Sequence, residues 1–182
     1  TSKAIGETME LMVNPAGTIY IDWGDGTFVE YQGTTEAFRT IKGEVKGTGI
    51  TIKGSDTKWT MLNCSGQQIT KINTKNAPNL KSLYCSNNAI ASFVKSYSPS
   101  LKDLDISNNS LRSFAVSHSS HPDMENLNIS ENNIATNVGT TGQFTFNGRA
   151  IQNVNIANNK FKKVNVASAE MIDAVNCGGN SI

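Results

Sequence analysis

Six stretches of the chain carry one pattern: "WTMLNCSGQQI" from Trp59, "LKSLYCSNNAI" from Leu80, "LKDLDISNNSL" from Leu101, "MENLNISENNI" from Met124, "IQNVNIANNKF" from Ile151 and "IDAVNCGGNSI" from Ile172. Each is apolar at positions 1, 4, 6 and 11, and successive copies start 21, 21, 23, 27 and 21 residues apart. A unit this short cannot bury its apolar side alone, so neighbouring copies must stack. Positions 4 and 6 then point into the core across a short strand, while 3, 5 and 7 point out. Parallel strands stacked about 4.8 Å apart form the expected sheet.

Position 9 is Asn88, Asn109, Asn132, Asn159 and Asn180 in five copies and Gln67 in the first. After each strand the chain must bend away, which leaves backbone donors and acceptors inside. A buried amide can both donate and accept, so one Asn per coil is expected to satisfy them. A second apolar column, Ile72, Phe93, Phe114 and Val164, falls at position 14. Pro78 and Pro99 fall at position 20, and Pro122 comes just before its repeat, where a fixed φ suits a turn. There is little room for helix on the back of such coils, so extended or 3₁₀ segments are expected. Cys64, Cys85 and Cys177 all occupy position 6 and read as buried free thiols. The longest insertion, "NVGTTGQFTFNGRAI", places Phe144 and Phe146 in alternation with polar neighbours. These two residues either cover the core of an irregular coil or offer apolar contact area.

The N-terminal part has another character. Residues 1–58 hold 9 of the 15 Gly and one Asn, whereas residues 59–182 hold 21 Asn. Met9, Leu11 and Val13 alternate with Glu10 and Met12, and Ile19, Ile21 and Trp23 with Tyr20 and Asp22. "DWGDGT" from Asp22 falls between two such strands. An EF-hand loop wants oxygen ligands at alternate positions, and here those after Asp22 are Gly24 and Gly26. The stretch reads instead as a hairpin turn fixed by Asp25 and Gly26. The predicted division is a small antiparallel β module over 1–57 and a repeat domain over 58–182.

The pattern L-x-x-L-x-L-x-x-N-x-L resembles the leucine-rich repeat, over about two-thirds of the chain. The 21-residue spacing and the continuation "LRSFAVS" from Leu111 resemble repeats of secreted and surface proteins of bacteria. "WGDG" with Ile21 before it resembles the W-x-F-G-D-G motif of PKD-like modules. The resemblance implies a mainly β leucine-rich-repeat solenoid of about six repeats, with a small antiparallel module capping its first coil. It also implies an extracellular or cell-surface location and binding of another protein, as in adhesion. A carbohydrate-binding accessory role or a structural spacer are the alternatives.

The charge of +1 gives no reason to expect nucleic acid as partner. No apolar run approaches the roughly 18 residues of a membrane span. "TSKAIGETME" lacks the features of a signal segment, so the chain reads as a mature or trimmed form, and a lipid anchor would sit on a segment outside it. His118 and His121 in "SHSSHPD" read as a solvated loop. No catalytic, phosphate-binding or metalloprotease motif is present. A non-catalytic monomer without cofactor or metal is expected. Its binding candidates are Tyr84, Asp103, Asp105 and Asn128 on the outward strand face, with Phe144 and Phe146 in the insertion.

Overall fold

The structure is a computed structural model of the 182-residue chain, and it describes all residues except 15–16, 34–37, 55–58, 94–98, 115–120, 136–141, 147 and 167–168. His118 and the predicted boundary between residues 57 and 58 lie outside the described residues. The first five strands are β1 (Thr8–Val13), β2 (Ile19–Asp22), β3 (Phe28–Tyr31), β4 (Arg39–Glu44) and β5 (Thr51–Gly54). Then come β6 (Met61–Asn63), β7 (Lys71–Ile72), β8 (Ser82–Tyr84), β9 (Ser92–Phe93) and β10 (Asp103–Asp105). The last are β11 (Asn126–Asn128), β12 (Gln143–Thr145), β13 (Asn153–Asn155), β14 (Lys163–Asn165) and β15 (Ala174–Asn176). No helix occurs among the described residues.

The molecule is a β-solenoid with an antiparallel sheet at its N-terminal end. Strands β6, β8, β10, β11, β13 and β15 stack in parallel, each paired through positions 3, 4 and 5 of its repeat. The position-4 residues Leu83, Leu104, Leu127 and Val154 are buried, and so are Cys85, Ile106, Ile129 and Ile156 at position 6. The backs of the coils are short and extended. β7 pairs with β9, and β12 with β14. Phe93 and Phe114 pack with ring centroids 5.8 Å apart. Phe144 pairs with Val164 in register, so it fills the position-14 slot of the fourth coil despite the insertion.

The antiparallel strands extend the same sheet. Its order is β15-β13-β11-β10-β8-β6-β1-β4, with Met12 opposite Asn63 and Val13 opposite Leu62. β2 makes a second sheet with β3 and β5. Met9, Leu11 and Val13 on β1 join Ile19, Ile21 and Trp23 in one core that runs on into the coils. β1 thereby covers the first coil's edge. Some outward positions depart from the pattern: Met61, at position 3 beside β1, is buried, and so are Ser130 and Ala157 at position 7.

Each position-9 Asn bonds two coils at once. Asn109 Oδ1 accepts from Ile90 N–H of the preceding coil at 2.9 Å, and its Nδ2 donates to Cys85 C=O of that coil at 3.0 Å. The same Nδ2 also reaches Ile106 and Ser107 carbonyls of its own coil, at 3.2 and 3.0 Å. Asn88, Asn132, Asn159 and Asn180 repeat the arrangement on Ile69, Leu111, Ile134 and Phe161 N–H. Gln67 has no coil before it. Its longer side chain accepts from Glu10 N–H on β1 at 2.9 Å, so the column continues into the N-terminal part.

Position 8 has its own constraint. Asn87, Asn108, Glu131 and Asn158 have φ of 55°, 50°, 55° and 54°, and Gly66 and Gly179 occupy the same slot at 70° and 68°. Asn is tolerated there because its short polar side chain bonds locally, whereas Ala is strained. Asn108 is therefore part of the periodic pattern too.

Asn109→Ala leaves one N–H and the carbonyls it served without partners and should cost about 2–4 kcal/mol. Asn108→Gly keeps the left-handed backbone and should cost less than about 1 kcal/mol. Equal urea midpoints for the two would contradict this ladder.

Candidate binding face

The outward residues of the six parallel strands are held by side-chain bonds running across the coils. Along position 3, Ser82 Oγ donates to Asp103 Oδ2 at 2.9 Å and Asn126 Nδ2 to Asp103 Oδ1 at 2.6 Å. Asn153 Nδ2 then donates to Asn126 Oδ1 at 2.8 Å. Along position 5 the side chain caps the bend that follows. Asn63, Asp105, Asn128, Asn155 and Asn176 each accept from the N–H two residues on, at 2.9–3.2 Å. Such local Asx bonds explain why this column is Asn and Asp rather than any polar residue. Ser107 and Ser130 add hydroxyl bonds to Asp105 and Asn128, at 2.6 and 2.8 Å. These caps were the part missed in the sequence; their signal was the recurrence of Asn or Asp two residues before a small residue.

Tyr84 is the exception at position 5, having no side-chain acceptor for that cap. It is half-buried and stands directly opposite Asp105 in the parallel register, with Asp103 two residues along the same strand. The three predicted residues are thus adjacent. Together with Asn128 and the Asn residues of the following strands they line a shallow concavity of about 460 Å³. No Lys or Arg is among its lining residues, so both charges there are negative. Such a face can present an aromatic ring and carboxylate oxygens to donors or cations.

Phe144 and Phe146 are not contact residues in this structure. They are 0% and 1% exposed, and the Phe144 ring meets Phe161 edge-on at 5.5 Å, so the insertion covers the core. His121 also departs from the expected solvated loop, being buried. Among the described residues no three His, Cys, Asp or Glu cluster as a metal site would require.

The "DWGDGT" segment turns between β2 and β3. Asp22 Oδ1 accepts from Gly24 N–H at 2.8 Å and from Gly26 N–H at 3.0 Å, so Asp22 shapes the turn as much as Asp25 does. Asp25 caps Thr27 N–H at 2.9 Å and pairs with Lys46 at 2.8 Å. The Lys46 ammonium, followed by the Thr27 N–H, holds the Asp25 carboxyl below its usual range. Gly24 lies at φ +114°, and a Cβ on it would come 2.5 Å from Gly47 N.

Cys64, Cys85 and Cys177 are free thiols; Cys64 and Cys85 are buried, whereas Cys177, expected to be buried too, is half-buried. Burial pushes Cys64 up to about 12 and Cys85 well above its ordinary value. No family model, curated protein or solved structure matches this chain.

Three outcomes are expected from these geometries. With Asp22 Oδ1 and both Asp25 oxygens engaged by backbone N–H groups and Lys46, the melting temperature should be equal in millimolar calcium and in EDTA. A clear rise in calcium would show metal binding to the folded state. Iodoacetamide should modify Cys177 in the native protein and reach Cys64 and Cys85 only after denaturation. In the folded chain Cys64 stays neutral up to about 12, while the unfolded thiol ionises from about 9.0, so stability should fall as pH rises through 9.0. Native modification of all three at one rate would contradict the burial.

Proposed function

We propose that this chain is a non-catalytic protein-binding module whose concave sheet face is the contact surface. The observation that carries the reading is the Tyr84–Asp105–Asp103 group, set in a concavity without basic residues on an otherwise Asn- and Ser-rich face. Tyr supplies contact area at low entropic cost, and carboxylates supply direction and discrimination. The partner segment should therefore carry donors or positive charge. The leucine-rich-repeat and PKD-like resemblances support an extracellular or cell-surface setting and a part in adhesion.

The test replaces Tyr84 and Asp105 while leaving the cap intact. Asp105→Asn keeps an oxygen for Ser107 N–H and removes the charge. A partner captured from extracts by the parent protein should bind Tyr84→Ala/Asp105→Asn at least about tenfold more weakly, and raised salt should weaken parent binding. Unchanged binding by a folded double variant overturns the reading. A glycan-array signal lost in the same variant would reassign the face to carbohydrate.

A further inference from the structure

The net charge of +1 conceals a segregation between the two sides of the coils. The segments that return from each bend to the next strand, 68–79, 89–100, 110–122, 133–150 and 160–169, hold eight Lys or Arg and no Asp or Glu. The strand and bend segments, 59–67, 80–88, 101–109, 124–132, 151–159 and 172–180, hold five Asp or Glu and two Lys. The fold places the basic residues of the returns in order. Position-10 N–H groups donate to the position-11 carbonyl of the coil before: Ala89 to Ile69, Ser110 to Ile90, Asn133 to Leu111 and Lys160 to Ile134, at 2.8–3.0 Å. That ladder stacks positions 12 and 13, which follow it, coil upon coil. Lys162 and Lys163 N–H continue it onto Gly142 C=O, at 2.6 and 3.0 Å.

The charges on these two columns are regularly spaced. Lys71 in the first coil, Arg112 in the third, and Lys162 with Lys163 in the fifth are all exposed. The second coil has Ala91 and Ser92 in those slots, and the fourth has Gly142 and Gln143. Cations therefore stand on alternate coils, about 10 Å apart along the stack. None of the four forms an ion pair among the described residues. Like charges in a row, with no counter-charge from the chain, hold a positive potential along this side.

We propose that this row is a second binding surface, for a linear acidic polysaccharide with one carboxylate or sulfate per disaccharide. Such a polymer repeats its charge at about the interval of alternate coils. Other polyanions match the row less well. On an extended acidic peptide, carboxylates of one face recur at about 6.6 Å and its multiples. Duplex DNA carries one charge per roughly 1.7 Å of its axis, and a single strand stacks its bases on aromatic side chains. Positions 12 and 13 hold no aromatic residue in any of the five coils. A membrane surface is held by cations beside large apolar side chains, and the neighbours here are Thr70, Ala91, Ser92 and Ser113. The row is built from the returns and not from the strand face, so either proposal can fail alone.

The probe is an end-labelled hyaluronan octasaccharide, which carries one carboxylate per disaccharide, titrated with the 182-residue protein and followed by fluorescence anisotropy. Binding should weaken as salt is raised. Arg112→Gln should weaken it about fivefold. Lys75→Gln removes an equal, exposed charge off the row and should leave binding unchanged. Tyr84→Ala/Asp105→Asn should not weaken it either. Arg112→Gln/Ser92→Lys keeps the number of charges but moves one to the adjacent coil, and it should not restore binding. No binding overturns the proposal, as does equal weakening by Lys75→Gln or full rescue by Ser92→Lys. Tighter binding of a DNA oligonucleotide or of phosphatidylserine vesicles overturns it in favour of that class. Self-association abolished by Arg112→Gln and by Asp105→Asn alike overturns it in favour of a second copy's strand face.

Discussion

The side-chain amide at position 9 is the bond on which the stack depends. Three-residue strands make few ladder bonds, and the chain leaves each one by a sharp bend. The bend points backbone groups into a core where water cannot reach them, and an unpaired group there is expensive. An Asn amide has two donors and an oxygen with two lone pairs, enough to serve its own coil and the one before. The amide therefore seals a bend and joins two coils with one side chain. At the first coil the partner is β1, and the exchange of Asn for Gln67 spans the extra reach.

Period-based features were the legible ones. The apolar columns, the Asn column and the outward face follow from a repeat seen six times, since every copy votes on the same geometry. The N-terminal strands were legible through alternation. What escaped depended on particular backbone angles or distant pairing. "NN" in "SNN" reads as redundancy, yet its first Asn is there for positive φ and its second for the ladder. Gly66 and Gly179 in the same slot were the available clue. The joining of β1 to β6 left only Gln67 as a trace, because antiparallel pairing at long range has no local signature. Phe144 was hidden by the insertion: it lies seven residues past the expected slot, and the structure restores it opposite Val164.

The burial of Met61 shows the limit of the alternation argument. Alternation assigns a residue to a side of the sheet but says nothing about what lies over that side. Position 3 faces outward in all six coils, and only in the first does another part of the chain adjoin the sheet closely enough to bury it.

The face's internal bonds bear on how it can recognise anything. Asp103 has one partner on each oxygen, Asp105 holds Ser107, and Asn126 links Asp103 to Asn153. Side chains fixed in this way lose little rotamer entropy when a partner arrives. They also have few unused valences, so most of the face can contribute shape and little directional bonding. Discrimination then falls to the groups that remain, the Tyr84 ring and hydroxyl and the second oxygen of Asp105. A surface of this kind favours an extended segment laid across the strands, contacting many fixed groups weakly and the Tyr84–Asp105 pair strongly. On the proposed reading of this face, the bonds that stiffen the solenoid also confine its selectivity to two adjacent coils.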